Sequence, residues 1–431
     1  MSREMKDSGF SWIGEVPNSW KVVPVKVAFS EIKTRNSDGA ITNALKFKFG
    51  EIVPKSNFDS ETDDYVADTI LNYTVVEPKT IMINGLNLNY DFKTLRTGLV
   101  KEKGIITSAY LALKPDENII WAEYATYLFK GYETKMAFHN MGSGIRLTLG
   151  FKEFKNQPLL LPALPEQKAI AAFLDTKCSE IDAVIAKTKA TIEEYKKLKQ
   201  SIITEAVTKG IRGDRPMKDS GIEWIGGIPA DWNRNSIKNV ATTCSGGTPN
   251  SSDETLYDGE INWICSYDLK EKPIYESGRK ITQKGADAIA GKLQSVGSIL
   301  VAMYGGAGTI GNSGILECEA RTNQAICSIK FTNDHILDYY GFYYILSIRK
   351  YWMIYAVGTR KDPNISQDIV KNMPCIIPPI DEQKEIVEFL DKKCSEMDVL
   401  IEKKTVLLEE METYKKSVIY EYVTGKKEVE R

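Results

Sequence analysis

Histidine is nearly missing from this chain. His139 and His335 are the only two in 431 residues, and neither stands at ligand spacing from a cysteine or a carboxylate pair, so a zinc site is not expected. Pairing motifs are missing as well: Cys178, Cys244, Cys265, Cys318, Cys327, Cys375 and Cys394 are odd in number and contain no C-x-x-C. That pattern points to buried free thiols in a reducing cytoplasm. No segment approaches the ~20 consecutive apolar residues that cross a bilayer. Met1-Ser2-Arg3-Glu4-Met5-Lys6 leads into polar residues with no apolar run, so no secretory signal is expected. Neither a G-x-x-x-x-G-K-[ST] phosphate loop nor a G-x-S-x-G elbow occurs. An excess of either charge is also lacking, with 56 Lys and Arg against 58 Asp and Glu and a pI near 6.0. The chain therefore does not coat nucleic acid by bulk electrostatics. Binding DNA would require positive charge gathered on one face, or phosphate contacts from a partner.

What the sequence has is repetition. Met5-Lys6-Asp7-Ser8-Gly9 returns as Met217-Lys218-Asp219-Ser220-Gly221, followed by Trp12-Ile13-Gly14 and Trp224-Ile225-Gly226, then Pro17 and Pro229, then Trp20 and Trp232, at an offset of 212. Farther on, Glu166-Gln167-Lys168 returns as Glu382-Gln383-Lys384 at an offset of 216. The register continues without a gap through Cys178-Ser179-Glu180 and Cys394-Ser395-Glu396 to Val207-Thr208 and Val423-Thr424. Tyr124 and Tyr127 already match Tyr340 and Tyr343 at 216, so the net four extra residues lie earlier in the second half. Residues 43–89 find no convincing counterpart in 248–300. Nearly matching ends and helices around divergent middles describe a common scaffold carrying two different readers.

Periodicity supplies the coarse structure. Leu174, Cys178, Ile181, Ile185, Thr188, Ile192, Tyr195, Leu198, Ile202 and Ala206 advance in steps of three and four, which predicts one long helix over 165–208. Its second copy runs through Leu390, Cys394, Met397, Ile401, Lys404, Leu408, Met411, Tyr414, Val418 and Tyr422. Each helix follows a proline run and would span ~60 Å at ~1.5 Å per residue. Two copies in one chain favour an intramolecular antiparallel pair over an oligomerising coiled coil. The remaining halves read as mixed α/β (α+β), with strands over 71–83, 105–113, 298–304 and 325–331 and helices over 121–138 and 335–356. Domains are expected at 1–158 and 213–374, with helix regions at 159–212 and 375–431.

Several motifs hint at catalysis. Gly306-Ala307-Gly308-Thr309-Ile310-Gly311 has the spacing of a dinucleotide or S-adenosylmethionine loop, but Asn312-Ser313-Gly314 starts a helix poorly and the first half has no counterpart. It reads as a glycine-rich turn. Pro115-Asp116 with Glu133-Thr134-Lys135 resembles a nuclease signature, yet Glu133 follows a helical run of aromatics. Asp362-Pro363-Asn364-Ile365 lacks the second proline and the aromatic of an amino-methyltransferase loop. Binding surfaces are therefore expected, without a reaction centre.

Leu161-Pro162-Ala163-Leu164-Pro165-Glu166-Gln167-Lys168 and Ile377-Pro378-Pro379-Ile380-Asp381-Glu382-Gln383-Lys384, with the Trp-Ile-Gly…Pro…Trp starts, resemble the DNA specificity subunit of type I restriction–modification enzymes. The resemblance covers almost the whole chain. Arg321-Thr322-Asn323-Gln324, and Gly358 through Asn364-Ile365-Ser366, look like recurring turns of that family; the first half departs from the latter, reading Gly142-Ser143-Gly144-Ile145-Arg146-Leu147. The resemblance implies a non-catalytic subunit with two tandem target-recognition domains, separated by two long helices packed as an antiparallel coiled coil with an internal pseudo-twofold repeat. Each domain would read one half of a bipartite double-stranded DNA target. The helices would set the spacing and dock two methyltransferase subunits, with restriction/translocase subunits joining them. S-adenosylmethionine, ATP and magnesium would belong to those partners. Groove readout needs hydrogen-bonding side chains on loops. The candidates are Asn84, Asn87, Asn89, Arg146 and Lys152 in the first domain, and Arg321, Asn323, Gln324, Arg360, Lys361, Asn364 and Ser366 in the second. Two other readings stay open: a protein-interaction scaffold without sequence-specific DNA binding, favoured by the acidic pI, and an enzyme using the turn near Gly308.

Overall fold

The structure is a computed structural model, and it describes residues 3–55, 70–89, 95–141, 147–305, 308–332, 334–358 and 363–429. The chain forms two compact units, Met1–Lys189 with Val406–Arg431, and Ala190–Thr405. Each unit therefore combines one α+β domain with half of each long helix. No helix among the described residues is long and apolar enough to cross a membrane.

In the first unit, strands β1 (Phe29–Glu31), β2 (Ile81–Ile83), β3 (Thr97–Leu99) and β4 (Leu111–Pro115) form an antiparallel sheet in the order β1-β4-β2-β3. Helix α1 (Ala122–Thr134) buries Tyr124, Ala125, Leu128, Phe129 and Tyr132 in a core shared with Ile81, Ile83, Leu111 and Leu113. The second unit repeats the plan. Strands β5 (Ala241–Ser245), β6 (Pro273–Ile274), β7 (Ile299–Ala302), β8 (Ser313–Leu316) and β9 (Ile326–Phe331) run in the order β5-β9-β7-β8-β6. Four of these reproduce the first sheet, and β6 is added in parallel at the edge.

The long helices are α2 (Leu164–Lys209) and α4 (Ile380–Val423), with α3 (Asp338–Ser347) as the second unit's counterpart of α1. Their pairing is antiparallel within each unit. In the first, Phe173 lies 4.3 Å from Tyr422 by ring centroids, Asp182 binds Lys415 at 2.6 Å, and Lys189 meets Glu412 at 3.4 Å. In the second, Lys199 binds Asp398 at 2.7 Å, while Ile203, Ala206 and Val207 share a core with Ile386, Leu390 and Cys394. Exposed ion pairs contribute at most ~1 kcal/mol each, so the apolar stripe carries the packing and the charges select the register. Two stripe positions miss the seam: Leu198 is 49% and Tyr414 52% exposed. A stripe read at one fixed period drifts around a helix of 3.6 residues per turn, and these two fall on its outer side.

The repeated Glu-Gln pair explains why each helix begins where it does. Gln167 accepts the Trp121 backbone N–H at 2.8 Å and donates to the carbonyls of Ile119 and Pro162. Gln383 does the same with Leu337, His335 and Pro378. One fully buried amide thus ties the start of a long helix to the start of its domain helix. Glu166 accepts the Trp20 indole N–H at 3.1 Å, and Glu382 that of Trp232 at 3.0 Å. Tyr127 and Tyr343 donate to Asp175 and Asp391; burial and these hydrogen bonds hold both phenols protonated.

Local detail departs from the sequence reading where backbone geometry intervenes. The run 71–83 is two strands, Thr74–Val76 and Ile81–Ile83, because Lys79 takes a positive φ of 72° and Thr80 closes a turn onto Glu77. The run 105–113 likewise divides into Gly104–Ile106 and Leu111–Pro115. Helix α1 stops before Met136, at φ 53°, and a 3-10 turn follows. The run 335–356 becomes α3, a 3-10 turn over Arg349–Tyr351 and a short helix Trp352–Tyr355. The cysteines are free, five of them buried, and burial pushes the Cys327 thiol up to about 12.

Candidate nucleic-acid interface

In the first unit the loop 84–89 follows the central strand β2. Asn84 donates its N–H to the Arg96 carbonyl at 2.8 Å and accepts the Leu86 N–H on Oδ1 at 3.2 Å. Asn87 is exposed, with a left-handed φ of 53°. A second segment is bound against this loop, since Leu149 donates to the Gly85 carbonyl at 2.9 Å and Leu88 donates to Leu147 at 3.2 Å. Close approach requires glycine at this point: a Cβ on Gly85 would lie 2.4 Å from the Leu149 carbonyl oxygen. Lys152 is exposed on the short helix Phe151–Phe154 that follows. Asn84, Asn87, Asn89 and Lys152 therefore belong to two segments joined by backbone hydrogen bonds. Arg146 lies outside the described residues.

In the second unit the candidates are joined through Met303, just after β7. Its N–H donates to Ala325 at 2.7 Å and its carbonyl accepts from Ile365 at 2.8 Å. The turn 321–324 and the segment 364–366 are thereby placed side by side. Arg321 donates to the Gly291 carbonyl at 2.6 Å, Asn323 accepts from Ala325 N–H at 3.2 Å, and Thr248 hydrogen-bonds Gln324. Asn364 is exposed in a two-residue strand, Pro363–Asn364, paired with Val357–Gly358. Ser366 caps the helix Gln367–Asn372 by accepting from Ile369. Arg360 and Lys361, between the paired strands, lie outside the described residues. Gln324, Asn364 and Ser366 are exposed, Arg321 and Asn323 half-buried; Arg321, Asn323, Gln324 and Ser366 also perform local structural work.

Supporting residues escaped the sequence reading. Arg96 is 1% exposed beneath the 84–89 loop. Gln294, also buried, accepts from Ser328 at 2.6 Å and pairs by backbone with Ala320 beside Arg321. Gln367 ties the 364–366 segment to β5 through Ser245 and Thr243. No spacing marks such residues in advance, because each is polar in sequence and buried only by long-range folding.

The catalytic decoys lose their geometry. Gly308 and Gly311 belong to a turn leading into strand β8, where a nucleotide loop needs a helix; Gly306 and Ala307 lie outside the described residues. Glu133 ends α1 and accepts the Arg96 backbone N–H at 3.1 Å, and burial pushes its carboxyl up to about 7. Among the described residues no group of His, Cys, Asp and Glu is placed to hold a metal ion.

Comparison with known proteins agrees with this architecture. The profile of the type I restriction modification DNA specificity domain matches residues 97–194 and 229–410. The type I restriction enzyme MjaVIII specificity subunit of Methanocaldococcus jannaschii is 25% identical over 427 residues, 95% of this chain and 93% of that one. The EcoBI specificity subunit of Escherichia coli is 21% identical over 413 residues, 91% of this chain and 82% of its own. A chain solved in connection with complex assembly and conformational transition of the type I R-M system matches in fold. Its TM-score is 0.68 at 13% identity, over 95% of this chain and 98% of that one. With the profile spanning more than half of its length, the chain belongs to the type I restriction–modification DNA specificity family, as a sequence-specificity subunit and not an enzyme.

Proposed function

We propose that each unit reads one half of a bipartite double-stranded DNA target, through the 84–89 and 147–152 segments in the first unit and the 321–324 and 364–366 segments in the second. Two methyltransferase subunits dock on the paired helices, restriction/translocase subunits join them, and the helices set the gap between half-sites. S-adenosylmethionine, ATP and magnesium reside on those partners, and the assembly works in the cytoplasm. The observation that carries the reading is the contrast between the two parts of each unit. The Gln167 and Gln383 ties and the Tyr127 and Tyr343 bonds repeat, whereas the two candidate loop clusters are built from different residues and partners. A scaffold duplicated for docking alone would have no use for two different loop surfaces. Near-neutral net charge fits a division in which partners supply much of the phosphate contact, the part of binding that falls with salt.

The test reconstitutes the full chain with its methyltransferase subunits and maps methylated positions on random-sequence DNA. One two-part sequence is expected, and Gln324→Ala with Asn364→Ala should relax only one of its halves. Methylation without sequence preference would remove the reading, and relaxation of both halves would remove its modular form.

A further inference from the structure

We propose that Arg96 is a positioning residue for sequence readout by the first unit, setting the shape of the 84–89 loop without touching DNA. The inference rests on the proposed reading function of that loop. Arg96 lies one residue before β3, with 1% exposure, and is the only arginine or lysine among the buried residues described. Its Nη1 donates to the carbonyl of Asn84 at 2.9 Å and to that of Leu86 at 2.8 Å. Those two carbonyls flank Gly85, the residue packed against Leu149. The Arg96 backbone is fixed from both sides, its N–H by Glu133 at the end of α1 and its carbonyl by Asn84. One residue thus connects, through its backbone, the end of a core helix and the start of a core strand and, through its side chain, both sides of the loop's closest backbone approach.

The chemistry argues that this connection is for rigidity. Removing a guanidinium from water is costly, and hydrogen bonds to neutral carbonyls offset that cost only when their geometry is well set. A loop that needed only to close could satisfy its carbonyls with water or with its own turn. Base readout demands more. A bidentate contact discriminates only when the donor is held to within about 0.5 Å, and Asn and Gln are the side chains suited to such contacts with adenine. Beyond the clamp the loop presents Asn87, exposed and at a left-handed φ, with the half-buried Asn89 two residues on. Arg96 holds Leu86, the residue directly before Asn87. Lysine keeps the charge and enough donors for two carbonyls, but its flexible stem and strongly hydrated ammonium lack the pre-organised plane of the guanidinium, so the Arg96→Lys variant is informative.

The experiment compares wild type, Arg96→Lys, Arg96→Met and a core control, Leu128→Ala, in the full chain with its methyltransferase subunits. Binding to duplexes carrying each single-base change in either half-site gives a discrimination ratio, measured where every variant is folded. Hydrogen exchange reports the amides of 84–89 and 147–149. Arg96→Met should speed exchange in both segments and lower discrimination at the first half-site about tenfold, the order of one bidentate contact, leaving the second half-site unchanged. Arg96→Lys should fall between, and Leu128→Ala should preserve both ratios. Faster exchange with unaltered discrimination would overturn the proposal, as would equal losses at both half-sites or the same loss in Leu128→Ala. A wild type that discriminates at neither half-site would instead remove the reading function itself.

Discussion

Glu166 and Glu382 occupy equivalent places in the repeat but different surroundings, and their replacement by alanine should separate burial from role. The Glu382 side chain is 0% exposed and receives both Arg215 nitrogens, at 3.0 and 2.6 Å, as well as the Trp232 indole N–H at 3.0 Å. Arg215 is itself only 15% exposed and stacks over the Trp232 ring at 5.1 Å. In the first unit Glu166 is 29% exposed, and its partner Arg3 is 22% exposed. Removing Glu382 leaves a mostly buried guanidinium without its carboxylate, with only a 3.4 Å bond to the Lys209 carbonyl, and a buried indole N–H unpaired, which costs about 3–5 kcal/mol. Removing Glu166 leaves the indole unpaired but lets water reach Arg3, so about 1–2 kcal/mol is expected. Glu382→Ala should therefore exceed Glu166→Ala by about 2 kcal/mol. Adding Arg215→Met to Glu382→Ala should recover part of the loss, because the orphaned charge goes too. Urea unfolding of the full chain measures the energies, with hydrogen exchange assigning each transition to a unit, since two compact units can unfold separately. Equal costs at the two sites would refute the reasoning, and so would a double variant less stable than Glu382→Ala.

Three further outcomes follow from the same contacts. Gln167 and Gln383 are both 0% exposed with matching partners, so alanine at either should cost a similar ~2–3 kcal/mol in its own unit; exchange data showing one strongly and the other barely affected would contradict this. The folded pKa of Glu133, about 7, lies above its ordinary 4.5, so the folded state holds a proton that the unfolded chain releases. Its contribution to stability is present below pH 4.5 and declines by at most about 3 kcal/mol as pH rises to 7; Glu133→Gln should flatten that slope, and an unchanged slope would exclude the assignment. Tyr420 donates to the carbonyls of Trp12 and Ile13, whereas its counterpart Thr204 borders a cavity of about 290 Å³ beside Trp224 and Tyr351. Thr204→Tyr should fill it and stabilise the second unit by about 1 kcal/mol, and a lower Tm would show that the space is not free.

The two tandem domains, the two long helices and their antiparallel pairing were legible in the sequence, because they depend on local period and on repetition of whole motifs. Steps of three and four from Leu174 to Ala206 need nothing beyond the helix to produce an apolar face. The Glu-Gln-Lys motif was visible too, although its purpose was not. Gln167 and Gln383 satisfy backbone groups some 48 residues away, which no local pattern can express. Folding alone revealed that the divergent middles share one sheet order. A β-strand needs only alternation and suitable side chains, so β2 and β7 can pair identically while their sequences drift apart. The same reason hides Arg96. A polar residue in a strand-like run is exposed by default, and only the meeting of α1, β3 and the 84–89 loop places this guanidinium inside, where backbone carbonyls take the place of water.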